Sequence, residues 1–303
     1  MLMTKKTDLL NSIIDLNCLS SSTTSDKDRE QELEKLRAAL SSWGCFQGIG
    51  HGISVSFLDK IRQVSRNYFK QPMEEKNKYA KTVVDFQGYG ADPVPEQGQY
   101  LDWSDRLFLD VFPEDQRQYN LWPQLPVSFR EVLEDYAEKI GWSQKLPLKL
   151  WQVKYKLEEN CFLERIWRTS TTASKRPDLV LGLKPHADGT GYTIILQDEV
   201  GLQWCHNWPD RARHVNPSCV IPPKIMSNGI FKGTVHRVLS NSERDRISVA
   251  VFYLHAEVGK EIGPEDGLVN GDRPKIYKRV KDYAETHWKF YQRGMRALHT
   301  VQI

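Results

Sequence analysis

At 303 residues, with 40% hydrophobic and 27% charged side chains, the chain has the composition of an ordinary folded protein and enough length to bury a large core. Its 42 Lys and Arg against 39 Asp and Glu leave a net charge of +3 with no concentrated basic patch, which argues against a nucleic-acid or membrane-surface partner. No apolar run reaches the length of a membrane span, and the five Cys, odd in number and without a Cys-x-x-Cys pair, point to a reducing cytoplasmic compartment and away from structural zinc.

Lys5 and Lys6 precede only a brief Leu/Ile segment broken by Asn11 and Asp15, which does not read as a signal peptide. The Ser/Thr/Asp-rich stretch from Ser20 to Asp28 reads as a loop. From Asp28 to Trp43 the apolar positions Leu33, Leu36 and Leu40 recur at helical spacing, and Val55, Leu58, Ile61, Val64 and Tyr68 do the same after a break at Gly52. Phe129, Val132, Leu133 and Tyr136 mark a third amphipathic helix. Each of these stripes is read as core packing. Strand-like runs dominate from Leu179 to Tyr253, and helix returns around Lys278 to Leu298. Helices, then strands, then a closing helix predict an α+β fold around one core, and no internal repeat is evident.

Two short segments carry chemistry. Pro185-His186-Ala187-Asp188-Gly189 supplies an imidazole and a carboxylate, and His236, in Val235-His236-Arg237, supplies a second imidazole. Arg246 and Ser248 follow ten and twelve residues later. Two His and one carboxylate with other positions left open is the ligand set of non-haem Fe(II) oxygenases. A lone His-x-Asp would carry little weight in a chain with eight His and many acids. Here the pair is followed by the β-branched run Tyr192-Thr-Ile-Ile-Leu196, and Arg246 opens the apolar run Ile247 to Tyr253, so ligands and guanidinium fall on strands or at their mouths. The Arg-x-Ser suits a bidentate clamp on the far carboxylate of a small dicarboxylic acid.

These residues resemble the plant-type 2-oxoglutarate- and Fe(II)-dependent dioxygenases, in the branch with codeine O-demethylase-like and norcoclaurine-synthase-like enzymes. The matching stretches are Ile13-Ile-Asp-Leu-Asn17, Trp43-Gly-Cys-Phe-Gln47, Pro72-Met-Glu-Glu-Lys76, Asp102-Trp103 and Arg176 to Gly182. Lys184 to Asp188, Gly201-Leu-Gln203, Ile225 to Gly229, Val235-His-Arg237 and Asn241 through Ser248 continue it in family order. The resemblance implies a double-stranded β-helix (jelly roll) core flanked by helices. It implies His186, Asp188 and His236 as iron ligands, with Arg246 and Ser248 on the distal carboxylate of 2-oxoglutarate. O2 is the oxidant and ascorbate a supporting reductant, and no catalytic residue is expected beyond the metal ligands. The expected protein is a cytoplasmic monomer that hydroxylates, demethylates or desaturates a small specialised plant metabolite. Tyr100, Trp103 and Phe108 are candidates to stack on a flat ring, with core packing the better reading for at least two of them.

The chain departs from that pattern in blocks. Arg165 to Lys175 contains no counterpart of the Tyr that helps bind 2-oxoglutarate in relatives. Between Cys205 and Lys224 the residues Pro209, Pro217, Pro222 and Pro223 argue against interior strands, and Gly141 to Lys156 lacks a smooth helical pattern. Gly50 stands where relatives carry Asn. Such blocks are what reading-frame slips or mis-joined exons produce, so loss of some core strands is expected. The resulting division is a helical region over 1–140, an altered connector over 141–177, an iron and 2-oxoglutarate core over 178–260 and a C-terminal helical segment over 261–303.

Two other outcomes stay open. An oxidase of the ethylene-forming type would share the iron site without using 2-oxoglutarate. A degenerate, non-catalytic relative would leave Trp142, Trp151, Trp167, Trp204 and Trp208 exposed. His206 and His214 are read as bystanders in an altered block, and His255, His287 and His299 as surface or packing residues.

Overall fold

The computed structural model describes residues 13–82, 85–91, 102–140, 162–171, 173–176, 179–189, 192–204, 218–221, 224–255 and 261–303. The N-terminal part runs β1 (Ile13–Asp15), α1 (Leu16–Ser20), α2 (Asp26–Ser42), β2 (Phe46–Ile49), α3 (Val55–Phe69), α4 (Met73–Asn77), β3 (Gly88–Tyr89), β4 (Asp105–Phe112) and α5 (129–140). Then come β5 (Phe162–Thr171), β6 (Leu181–His186), β7 (Tyr192–Gln197), β8 (Leu202–Trp204), β9 (Ser218–Ile221), β10 (His236–Leu239) and β11 (Arg246–His255). The strands β12 (Glu261–Ile262) and β13 (Val280–Lys281) lead to the closing helix α6 (Tyr283–Gln292).

Local chemistry sets the helix starts. Ser25 caps α2, its hydroxyl accepting from the Asp28 N–H at 3.1 Å, and Asp26 and Asp28 place negative charge in the first turn, where the helix dipole favours it. Ser54 caps α3 in the same way through the Phe57 N–H. The predicted stripes become buried faces: Leu36 and Leu40 of α2, Ile61, Val64 and Tyr68 of α3, and Phe129, Val132, Leu133 and Tyr136 of α5 all enter one core cluster.

That cluster sits on one face of an eight-stranded sheet of order β1-β2-β9-β7-β11-β5-β4-β3. Strand alternation divides β11 cleanly. Ile247, Val249, Val251 and Tyr253 pack under the helices, while Ala250 joins a second cluster with Ile195 of β7, Leu202 and Trp204 of β8, Val238 of β10 and Leu183 of β6. The second cluster therefore joins the large sheet to a three-stranded sheet of order β6-β10-β8. Two sheets enclosing one interior, with helices on the outer face of the larger, form the expected jelly roll.

The expected loss of strands is corrected at two places. β5 pairs with β11 along its whole length, from Arg246↔Thr171 to His255↔Phe162, and with β4 on its other edge. β9 lies between β2 and β7 inside the large sheet. The reason is positional: Pro217 and Pro222 flank Ser218–Ile221 and do not occupy it, so the four paired residues keep their N–H donors. The N-terminal strands also belong to the barrel, since β1 to β4 extend the same sheet at both ends. Gly50 has φ +64, and a Cβ there would stand 2.2 Å from Asp15 Oδ1, so this departure from the family residue meets a left-handed position without strain. Residues 141–161 and 205–217, which include Trp142, Trp151, Trp208, His206 and His214, lie outside the described residues.

Candidate metal centre

β6 ends at His186 and β10 begins at His236, and their antiparallel register sets the two residues directly opposite each other. The imidazole centroids are 4.3 Å apart, with the rings inclined at 54°. Asp188 follows as the chain leaves β6 and turns back over the pair. Its Oδ1 lies 3.5 Å from His186 Nε2 and 3.6 Å from His236 Nε2. The three side chains offer ligand atoms all within 4.8 Å of one another, and they form the one such group among the described residues.

The second nitrogen of each ring is committed. His186 Nδ1 donates to the Lys184 carbonyl at 2.8 Å and His236 Nδ1 to the Thr234 carbonyl at 3.3 Å, which leaves both Nε2 lone pairs facing Asp188. Burial, reinforced by the neighbouring His236, pushes the His186 pKa well below its ordinary value and keeps that ring neutral. Asp188 Oδ2 is buried with no hydrogen-bond partner. A buried carboxylate left so is costly unless a cation joins it. Two imidazoles with their Nε2 atoms turned to one carboxylate that keeps an unsatisfied oxygen fit a divalent iron.

Arg246 and Ser248 lie on the face of β11 that carries Ala250 toward the small sheet, so both line the interior that also holds His236 and Val238. Arg246 is 2% exposed. Its Nε donates to the Glu199 carbonyl at 3.2 Å, Nη1 to Ser248 Oγ at 3.2 Å and Nη2 to Gln197 Oε1 at 2.5 Å. Burial pushes its pKa down to about 10 against the opposing charge of Asp198, so it is still cationic at neutral pH. Asp198 is held in turn by Arg66 of α3 and accepts from the Ile247 N–H at 2.8 Å. β5 contains no Tyr; Thr171, the register partner of Arg246, is buried with its hydroxyl unpartnered.

Several residues around the site were not singled out by sequence. Asp102, noticed in sequence as part of a matching dipeptide but given no role, is buried against β6 and bonded to the Lys184 N–H at 2.6 Å. His287 and Tyr291, four residues apart on α6, both face the centre: His287 Nε2 donates to the Ala187 carbonyl at 2.7 Å, and the Tyr291 ring stands edge-on to His186 at 5.2 Å. Their i, i+4 spacing was the available signal. Packing was thus the right reading for His287, at the centre itself, and His299 packs on Phe290. Trp204, expected at the surface of a degenerate chain, is instead 7% exposed with its ring 4.9 Å from His236. Of the stacking candidates, Trp103 is exposed, Phe108 lies in β4 and Tyr100 falls outside the described residues.

Comparison with known proteins agrees with this geometry. Residues 12–125 match the family described as non-haem dioxygenase in morphine synthesis N-terminal, and residues 159–255 match the 2OG-Fe(II) oxygenase superfamily. The chain is 35% identical over 291 residues to protein SRG1 of Arabidopsis thaliana, spanning 89% of this chain and 79% of that one. It is 34% identical over 265 residues to codeine O-demethylase of Papaver somniferum, spanning 82% and 73% respectively. The crystal structure of JOX2 in complex with 2OG, Fe and JA superposes with a TM-score of 0.83 at 27% identity, covering 96% of this chain and 88% of the other. The chain therefore belongs to the 2OG-Fe(II) oxygenase superfamily and is a dioxygenase dependent on Fe(II) and 2-oxoglutarate.

Proposed function

We propose that His186, Asp188 and His236 hold the Fe(II), that Arg246 and Ser248 hold the distal carboxylate of 2-oxoglutarate, and that the enzyme hydroxylates, demethylates or desaturates a small specialised plant metabolite. The observation that carries this is the cluster itself, with Asp188 Oδ1 3.5 and 3.6 Å from two Nε2 atoms whose rings are locked by backbone carbonyls. Bound iron, with 2-oxoglutarate and O2, supplies the oxidising chemistry as the co-substrate loses CO2 and becomes succinate. The protein's own groups orient and exclude. His186 and His236 present fixed lone pairs. Asp188 lowers the positive charge so that an anionic co-substrate and the metal coexist. Arg246, anchored through Nε, turns its two terminal nitrogens toward the interior, where a carboxylate can displace Gln197 and Ser248 from its fork.

The names of relatives support the substrate class: codeine O-demethylase and S-norcoclaurine synthase 1 point to small plant metabolites. In the same reading 1–140 and 261–303 frame the substrate side, 141–177 connects, and 178–260 supplies the metal and co-substrate groups. The protein is taken as a cytoplasmic monomer without nucleic-acid or membrane partners; no helix among the described residues is long and apolar enough to cross a membrane.

The test is spectroscopic. Anaerobic protein with Fe(II) is titrated with 2-oxoglutarate while the metal-to-ligand absorption near about 500 nm is followed, as expected for a keto acid chelating through open positions. The band should vanish in His186→Ala and weaken in Arg246→Ala. Folded wild-type protein that gives no band would refute the assignment.

A further inference from the structure

Asp102 lies at the meeting point of three parts of the chain. It bridges Leu181 at the start of β6, and the Trp103 N–H donates to the Leu181 carbonyl at 2.8 Å. Its buried carboxylate accepts from the Lys184 N–H at 2.6 Å, from the Tyr291 hydroxyl at 2.9 Å and from the Arg106 guanidinium, with Lys184 Nζ 3.6 Å away. Two routes run from it to the metal centre. Lys184, fixed by Asp102 through its N–H, fixes His186 through its carbonyl. Tyr291, fixed by Asp102 through its hydroxyl, sets its ring against the His186 imidazole and under Lys184 Nζ, 4.1 Å from the ring centroid. One turn earlier on the same helix, His287 holds the carbonyl of Ala187, the residue between the two ligands of the His-x-Asp.

Resting on the reading of His186, Asp188 and His236 as the iron ligands, we propose that Asp102 is a positioning residue for the metal centre: it presets the His186 imidazole through the Lys184 main chain and through Tyr291. Charge acts in the same direction. Asp102 lies against the buried cations Arg106 and Lys184, and removing its charge makes the surroundings of a site that must accept a divalent ion more positive. Partners of this kind behind a ligating imidazole fix its orientation and typically govern metal affinity by roughly 10- to 100-fold.

The experiment measures Co(II) affinity by its visible d–d absorption, in the absence of 2-oxoglutarate and O2, at a temperature well below each variant's Tm. Asp102→Asn should weaken Co(II) binding by roughly 10- to 100-fold. Tyr291→Phe, which removes one hydroxyl and keeps the ring, should weaken it by a smaller factor, and the double variant should be no worse than Asp102→Asn because the Tyr291 route itself starts at Asp102. Tyr89→Phe is the matched control: it deletes another phenol–carboxylate bond, to Asp105 at 2.9 Å, in the β3–β4 pair. That control should leave Co(II) affinity unchanged whatever it does to Tm. Wild-type affinity in folded Asp102→Asn and Tyr291→Phe would overturn the proposal, as would an equal loss in Tyr89→Phe. If Asp102→Asn does not fold, Tyr291→Phe against Tyr89→Phe decides alone. Wild-type protein that binds no Co(II) would overturn the ligand assignment itself and this proposal with it.

Discussion

Replacing Arg246 by Lys separates charge from geometry at the proposed co-substrate clamp. The guanidinium is fixed at one corner by Nε on the Glu199 carbonyl, while Nη1 and Nη2 meet the neutral oxygens of Ser248 and Gln197. Those two terminal nitrogens are the fork a carboxylate would take over. Lys keeps a positive charge but presents one compact ammonium on a shorter reach. One of two charge-assisted hydrogen bonds is then lost, about 1.5–3 kcal/mol. At about 1.4 kcal/mol per decade the Kd for 2-oxoglutarate should rise roughly 10- to 150-fold. Ser248→Ala, which removes one neutral hydroxyl, should cost only about 0.5–1.5 kcal/mol, a few-fold effect. Isothermal titration of 2-oxoglutarate into anaerobic, metal-loaded protein reads both without requiring the organic substrate. An Arg246→Lys protein with native circular dichroism and a Kd within twofold of wild type would refute the clamp.

Three further outcomes are expected. Divalent metal at about 100 times its Kd stabilises the folded chain by about 2.7 kcal/mol, so a chelator should lower the wild-type Tm by a few degrees and leave that of Asp188→Ala unchanged; equal shifts in both would place the bound metal elsewhere. Gly182→Ala should destabilise by about 1–3 kcal/mol in urea titrations, because the added methyl would stand 2.8 Å from both Thr171 Cγ2 and Val238 Cγ1, branched side chains of facing sheets. Burial raises the Asp102 carboxyl, but Arg106, Lys184 and the hydrogen bonds outweigh it and hold it below the usual carboxylate range. The folded chain thus binds fewer protons there than the unfolded one. Its contribution is complete above the ordinary carboxylate pKa of about 3.9 and drains away as pH falls through the lower folded value. Urea midpoints taken from about pH 5 down to pH 3 should fall more steeply for wild type than for Asp102→Asn.

The chemistry of the centre was legible because it is written in local patterns. His186 and Asp188 share one strand end, and the alternation of Arg246, Ser248 and Ala250 against Ile247, Val249 and Val251 already separates a site face from a core face. The amphipathic stripes of α2, α3 and α5 were equally plain, since a period of 3.6 is a property of neighbours in sequence. The strands β5 and β9 were misjudged because atypical side chains weigh heavily in a local reading. Partners on both edges decide the matter in the sheet, where each backbone donor and acceptor finds a mate.

By itself, then, the sequence determined which side chains offer donor groups suited to a metal and a dicarboxylate, and which faces are apolar. Tertiary structure alone decided that His186 stands opposite His236, that Asp188 closes on both, and that Asp102 and Tyr291 meet across 189 positions of chain behind His186. Ligand identity is a property of single residues, whereas the distances among them come from register and packing between strands and helices remote in sequence.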